Sequence, residues 1–142
     1  MITSPVTLAA RAKPLSVVVV DDVVEIQQVV EHWLNAVGCR VRCASSGQEV
    51  VRLLRSQKFD LIITDVLMPE GDGLEVIAEV KRAQPLARVL AISGGGSHLP
   101  ANDCLKFAKG LGAHAVLLKP FNREQLLAAV CRIAGGENPP AS

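Results

Sequence analysis

Residues 15–22, Leu-Ser-Val-Val-Val-Val-Asp-Asp, set the pattern that the rest of the chain repeats. A short β-branched run that stops on two acids reads as a strand, Leu15 to Val20, buried on both faces, the situation of a central strand in a parallel sheet. Immediately afterwards the apolar period changes. Ile26, Val30, Trp33 and Val37 fall on one helical stripe, Glu25, Gln28, Glu31 and Asn35 lie elsewhere, and Gly38 closes the helix.

The same alternation continues outward. Arg40 to Ala44 reads as a second strand, and Ser46-Gly47-Gln48-Glu49 is a capping box that opens a helix through Arg55. Phe59 to Thr64 is a third strand, again ending on an acid, Asp65. The turn Met68 to Gly73 follows, and Asp72 with Glu75 can cap a helix that carries Leu74, Ile77 and Ala78. Arg88 to Ile92 is a fourth strand, stopping at Ser93 before Gly94-Gly95-Gly96. The next helix can take Pro100 in its first turn and has a stripe of Ala101, Cys104, Leu105, Ala108 and Leu111. A fifth strand, Ala115 to Leu118, ends at Lys119-Pro120, and Asn122 with Gln125 caps a last helix bearing Leu126, Leu127, Val130 and Ile133.

Strands that alternate with helices through short turns specify an α/β fold. The expected architecture is flavodoxin-like, a doubly wound parallel sheet of five strands in the order 2-1-3-4-5 with helices on both faces. One domain over 15–134 is expected, between an N-terminal tail, 1–14, and a C-terminal tail, 135–142. The eight residues after the last helix are too few for a separate output domain.

Composition narrows the function. With 49% hydrophobic residues but only 3% aromatic, the core must be built from Val, Leu, Ile and Ala. A formal net charge of +1 argues against direct nucleic-acid binding by blanket phosphate neutralisation. No apolar run approaches the ~18 residues of a membrane span, and the opening residues lack a secretory pattern, so a cytoplasmic location is expected. Cys39, Cys43, Cys104 and Cys131 form no CxxC pair, which makes zinc a poor reading and small thiols in a reducing compartment the better one.

In such sheets ligands bind beyond the carboxyl ends of the strands. The residues there are Asp21 and Asp22, Asp65, Ser93 and Lys119. Clustered carboxylates repel one another unless a proton or a cation joins them, and oxygen donors with room for water suit Mg²⁺. A hydroxyl and an ammonium opposite that cation leave space for a tetrahedral dianion, so the rim fits a phosphoryl group. Each member alone has a simpler use: Asp22 can serve as a helix cap, Ser93 as a turn former and Lys119 as a solvated cation.

Four stretches, VVVVDD (17–22), TDVLMPEGDGLEVI (64–77), LAISG (90–94) and GAHAVLLKPF (112–121), make the chain resemble the receiver domain of bacterial two-component response regulators from Leu15 to Ala134. The resemblance implies that Asp65 is the phosphoacceptor. It further implies that Asp21 and Asp22, with Asp65 and the backbone carbonyl of Leu67, hold Mg²⁺, and that Ser93 and Lys119 meet the phosphoryl oxygens. Lys119-Pro120 is expected to be cis, as is typical of the family. The implied partners are a sensor histidine kinase or a histidine phosphotransfer protein upstream and a protein target downstream, with contact through the helix over 101–111, the fifth strand and the last helix.

Two features depart from the family pattern. Val116 stands where an aromatic residue is common, and the interval from Ser93 to Lys119 is long, with the extra residues in GGGSHLPAND (94–103). His98 lies in that loop and reads as solvent-exposed. Two other functions compete with the phosphoacceptor: a receiver-like docking module that works without phosphorylation, and a phosphatase with an aspartyl phosphate intermediate. No segment is long enough to cap a phosphatase substrate, so a turnover enzyme is not expected.

Overall fold

The computed structural model describes residues 13–66, 73–93, 106, 109–110 and 112–134. Chain order is β1 (Ser16–Val20), α1 (Val24–Ala36), β2 (Arg40–Ala44), α2 (Gly47–Ser56), β3 (Leu61–Asp65), α3 (Gly73–Ala83), β4 (Arg88–Ser93), β5 (Ala115–Leu118) and α4 (Arg123–Ala134). The strands form one parallel sheet in the order β2-β1-β3-β4-β5, as the sequence pattern predicts. Of the helix expected over 101–111, the described positions Lys106, Lys109 and Gly110 are helical.

Successive side chains on a strand point to opposite faces, and each face has its own core. Val17, Val19, Ile63, Leu90 and Ile92 pack with Val30 and Leu34 of α1 and with Leu126, Leu127 and Val130 of α4. Val18, Val20, Ile62, Val89 and Ala91 pack instead with Val50 and Leu54 of α2 and with Val76, Ile77 and Val80 of α3. The continuous apolar strands are thus a consequence of two-sided burial.

Helix ends follow the capping signals. Ser46 Oγ accepts from the Glu49 N–H at 3.3 Å. At α4 the box closes in both directions, Gln125 N–H to Asn122 Oδ1 at 2.8 Å and Asn122 N–H to Gln125 Oε1 at 2.9 Å. Helix α1 ends on Gly38 at φ 91°, with the N–H groups of Gly38 and Cys39 returning to the carbonyls of Asn35 and Leu34.

The structure corrects three details. The buried row of α1 is Gln27, Val30 and Leu34, while Ile26 and Trp33 are only partly covered. On α3, Ala78 is exposed and Val76 and Val80 are buried beside Ile77, because two β-branched residues outweigh one alanine in apolar area. Strand β3 starts at Leu61, since the Phe59 N–H is taken by Gln84 Oε1 at 2.9 Å. Residues 1–12 of the N-terminal tail, the C-terminal tail, residues 67–72 of the turn after β3 and the segment holding His98 lie outside the described residues.

His114 fastens the start of β5 to β4. Its N–H donates to Val89 O at 2.8 Å, and its Nδ1 accepts from the Val89 N–H at 3.0 Å. Burial, with Lys81 and Arg88 adding to it, pushes the imidazole below its ordinary value. The unfolded chain therefore takes up the proton first, so this contribution is intact above the ordinary value of about 6.5 and is lost as pH falls toward the depressed folded value. Thermal melts across that range are expected to show wild type losing stability relative to His114→Asn, which keeps an acceptor in place of Nδ1.

Candidate functional site

Strands β1, β3 and β4 end level with one another because their register is in phase: Val20 lies beside Thr64, and Asp65 beside Ile92. The chain therefore leaves β1 and β3 on neighbouring acids. Asp21 and Asp65 are buried, whereas Asp22, one step further along, is exposed. Carboxylate oxygens of all three lie within 4.8 Å of one another.

Lys119 closes the group. Its Nζ donates to Asp65 Oδ2 at 2.7 Å and to Asp21 Oδ2 at 3.2 Å. The Lys119 N–H also donates to Ser93 O at 2.8 Å, which ties the end of β5 to the end of β4. Ser93 is fully buried at the same rim. The Lys119-Pro120 peptide is cis, as expected.

Burial pushes the Asp21 carboxyl above its ordinary value, against the Val23 N–H and the Lys119 ammonium, which pull it down. Burial pulls Lys119 down, yet its bonds and charge attraction to Asp65 and Asp21 leave it above its ordinary value. The site is thus a compact set of oxygen donors with more negative than positive charge. That donor chemistry fits a hard divalent cation such as Mg²⁺.

Asp22 does not cap α1. The N-cap is Val23, which has no side-chain cap bond, and the Val23 N–H donates to Asp21 Oδ1 at 2.9 Å. Leu67, whose carbonyl is expected to join the metal ligands, lies outside the described residues. Asp21, Asp22, Asp65, Ser93 and Lys119 come together at one rim. Val116, behind it, is a half-buried aliphatic residue in contact with the core of the α2 and α3 face.

Sequence reading missed Gln27. This buried side chain donates from Nε2 to Asp21 O at 2.6 Å, Ser45 Oγ at 3.0 Å and Ala44 O at 3.2 Å. It holds the turn that presents Asp21 against the end of β2. The signal was present: Gln27 lies at helical spacing before Val30 and Leu34, so a polar residue occupies the buried row.

The family profile described as the response regulator receiver domain matches residues 17–131. The chain belongs to that family. As a receiver domain it is 34% identical over 131 residues to the transcriptional regulatory protein PdtaR of Mycobacterium tuberculosis, covering 90% of this chain and 60% of the relative. It is 32% identical over 127 residues to the DNA-binding transcriptional regulator NtrC of Azospirillum brasilense, covering 89% of this chain and 26% of the relative. The receiver thus spans only part of these curated relatives. Among solved structures, the chemotaxis response regulator CheY4 of Vibrio cholerae superposes with a TM-score of 0.76 at 31% identity, over 85% of this chain and 99% of that one. A response regulator protein from Burkholderia pseudomallei, solved with a phosphorylated aspartic acid, a calcium ion and citrate, gives a TM-score of 0.74 at 30% identity over 86% of this chain and 69% of that one. No helix among the described residues of this receiver is long and apolar enough to cross a membrane.

Removing the Gln27 amide leaves two backbone carbonyls without their side-chain donor. Gln27→Met, close in shape, is expected to lower stability by about 1–3 kcal/mol in urea denaturation. An unchanged midpoint would show that the turn holds Asp21 without it.

Proposed function

We propose that Asp65 of this receiver accepts a phosphoryl group from the phosphohistidine of a sensor kinase or a phosphotransfer protein. The observation that carries this reading is the bridge from Lys119 to both Asp65 and Asp21, which puts one cation against two buried carboxylates.

In the transfer, a carboxylate oxygen of Asp65 attacks phosphorus as the bond to the donor imidazole nitrogen breaks, giving an acyl phosphate on Asp65. Lys119 meets the new phosphoryl oxygens with its ammonium. Ser93 donates its hydroxyl to them from the neighbouring strand end. Asp21, Asp22 and Asp65 would hold Mg²⁺, with the carbonyl of Leu67 as the family resemblance implies. Bound there, Mg²⁺ would supply further neutralisation of the charge on the phosphoryl oxygens. The acyl phosphate, once formed, hydrolyses to restore Asp65, and the signal decays with it.

The receiver changes partners, rather than converting a small substrate, when its surface responds to the phosphoryl group. The downstream partner is a protein that reads a face including the helical positions Lys106, Lys109 and Gly110, β5 and α4. Because Val116 lacks a ring, this response does not rest on an aromatic side chain moving between buried and exposed positions. Strand β4 ends on Ser93, so a shift of the hydroxyl toward the phosphate passes directly into the chain that follows the strand.

Intact-protein mass measured after incubation with acetyl phosphate tests the reading. The expected result is a gain of one phosphoryl group that needs Mg²⁺ and is absent in Asp65→Asn. A gain retained in Asp65→Asn would contradict the assignment of the acceptor. No gain from acetyl phosphate or from a phosphorylated phosphotransfer protein would favour a docking module that works without phosphorylation.

A further inference from the structure

The opposite end of the sheet, where β4 and β5 begin, carries cations and an apolar groove that phosphoryl chemistry at the other rim does not use. Arg88 opens β4, Lys81 lies in the last turn of α3 and His114 precedes β5. His114 is fixed on Val89, the neighbour of Arg88, through both polar groups of that residue, and the charges of Lys81 and Arg88 both reach its ring. The Lys81 stem lies across Gly112, at φ +111°, where a Cβ would sit 2.6 Å from Lys81 Cε. Glycine at that position leaves room for the stem.

Among the described residues, no ion pair neutralises any of these side chains. Glu79, on the same helix, is engaged by Arg82. The Asp60 carboxylate, beside Arg88 in the groove, accepts from the Ser16 N–H at 2.9 Å. Because His114 Nδ1 accepts from Val89, the neutral ring carries its proton on Nε2. An exposed N–H donor, an ammonium and a guanidinium therefore share this end of the sheet, and the mutual repulsion of the cations is relieved by an oxyanion.

Arg88 also lines a groove of about 490 Å³ with Leu15, Lys58, Phe59, Pro85 and Leu86. Leu86 is 95% exposed, so a large apolar side chain projects from the groove's edge into water. A ligand that complements both features brings a negative charge and an apolar group side by side.

We propose that this end of the sheet docks a segment of a partner protein in which a carboxylate lies next to an apolar side chain. The carboxylate meets Arg88, Lys81 and His114, and the apolar side chain covers Leu86 in the groove. The surface is independent of the phosphoryl site, which occupies the other end of the strands, and it does not require Asp65 to be phosphorylated.

The test is NMR of the full chain titrated with a short blocked peptide of alternating leucine and glutamate, with its glutamine counterpart, and with inorganic phosphate. The expected result is a saturable shift of the His114 ring and the Leu86 amide together, stronger for the glutamate peptide than for the glutamine one. Arg88→Met and Lys81→Met, each checked for an unchanged melting temperature, should weaken binding about fivefold or more, the loss of one charge-assisted hydrogen bond. Absence of a His114 shift at millimolar peptide, or equal shifts with the glutamine peptide, would overturn the proposal. So would a response to phosphate without a response to peptide, which would mark a small-anion site, or self-association that Arg88→Met abolishes, which would put a second copy of the chain there.

Discussion

Two carboxylates with almost no access to water, Asp21 and Asp65, stand at the ends of adjacent strands and share one ammonium, Lys119. Burial makes a carboxylate resist ionisation, and the upward push on Asp21 is the sign of that resistance. The arrangement persists because rigid elements enforce it. Parallel pairing of β1 with β3 fixes the spacing of the acids, and the bond from the Lys119 N–H to Ser93 O fixes the approach of the cation. A site held with its charge unbalanced would bind a cation without first reorganising, as the electrostatic work proposed for it requires.

Everything beneath the rim serves that spacing. Valine and isoleucine on each strand feed two cores, so a lateral shift of one strand would disturb packing on both faces. Polar side chains fasten the joints where the apolar ladder ends. Gln27 ties the β1 turn to the end of β2, Gln84 joins the end of α2 to the start of β3 through Leu54 O, Gln57 O and the Phe59 N–H, and His114 joins β5 to β4. These side chains satisfy backbone groups that regular structure leaves over. The two ends of the sheet thereby acquire opposite characters, acidic at the carboxyl end and basic at the amino end beside β4 and β5.

Much of this was legible before any coordinates. Buried parallel strands announce themselves as uninterrupted valine and isoleucine, and both capping boxes, at Ser46 and at Asn122, mark their helices within a residue. The five side chains of the rim were legible because topology, and not local sequence, brings them together: each follows a strand, and strand ends converge. What escaped was governed by packing. Helix α1 turns Gln27 inward because two acceptors at the end of β2, Ala44 O and Ser45 Oγ, and one in the turn after β1, Asp21 O, wait for it, a fact that no property of a glutamine reveals on its own. Trp33 drew the apolar stripe toward itself, while Leu34, smaller and completely buried, marks the true inner face. Asp21 and Asp22 look equivalent in sequence, yet the turn buries the first and exposes the second, which gives them unequal electrostatic surroundings.

The account stands on the carboxylate cluster being a divalent-cation site poised by burial. Calorimetric titration of the full chain with Mg²⁺, for wild type and for Asp21→Asn, tests that claim most directly, because asparagine keeps an acceptor for the Val23 N–H while removing the buried charge. The account predicts a single binding event that weakens about tenfold or more in the variant. Equal affinity in the two proteins, or no binding to wild type, would contradict it.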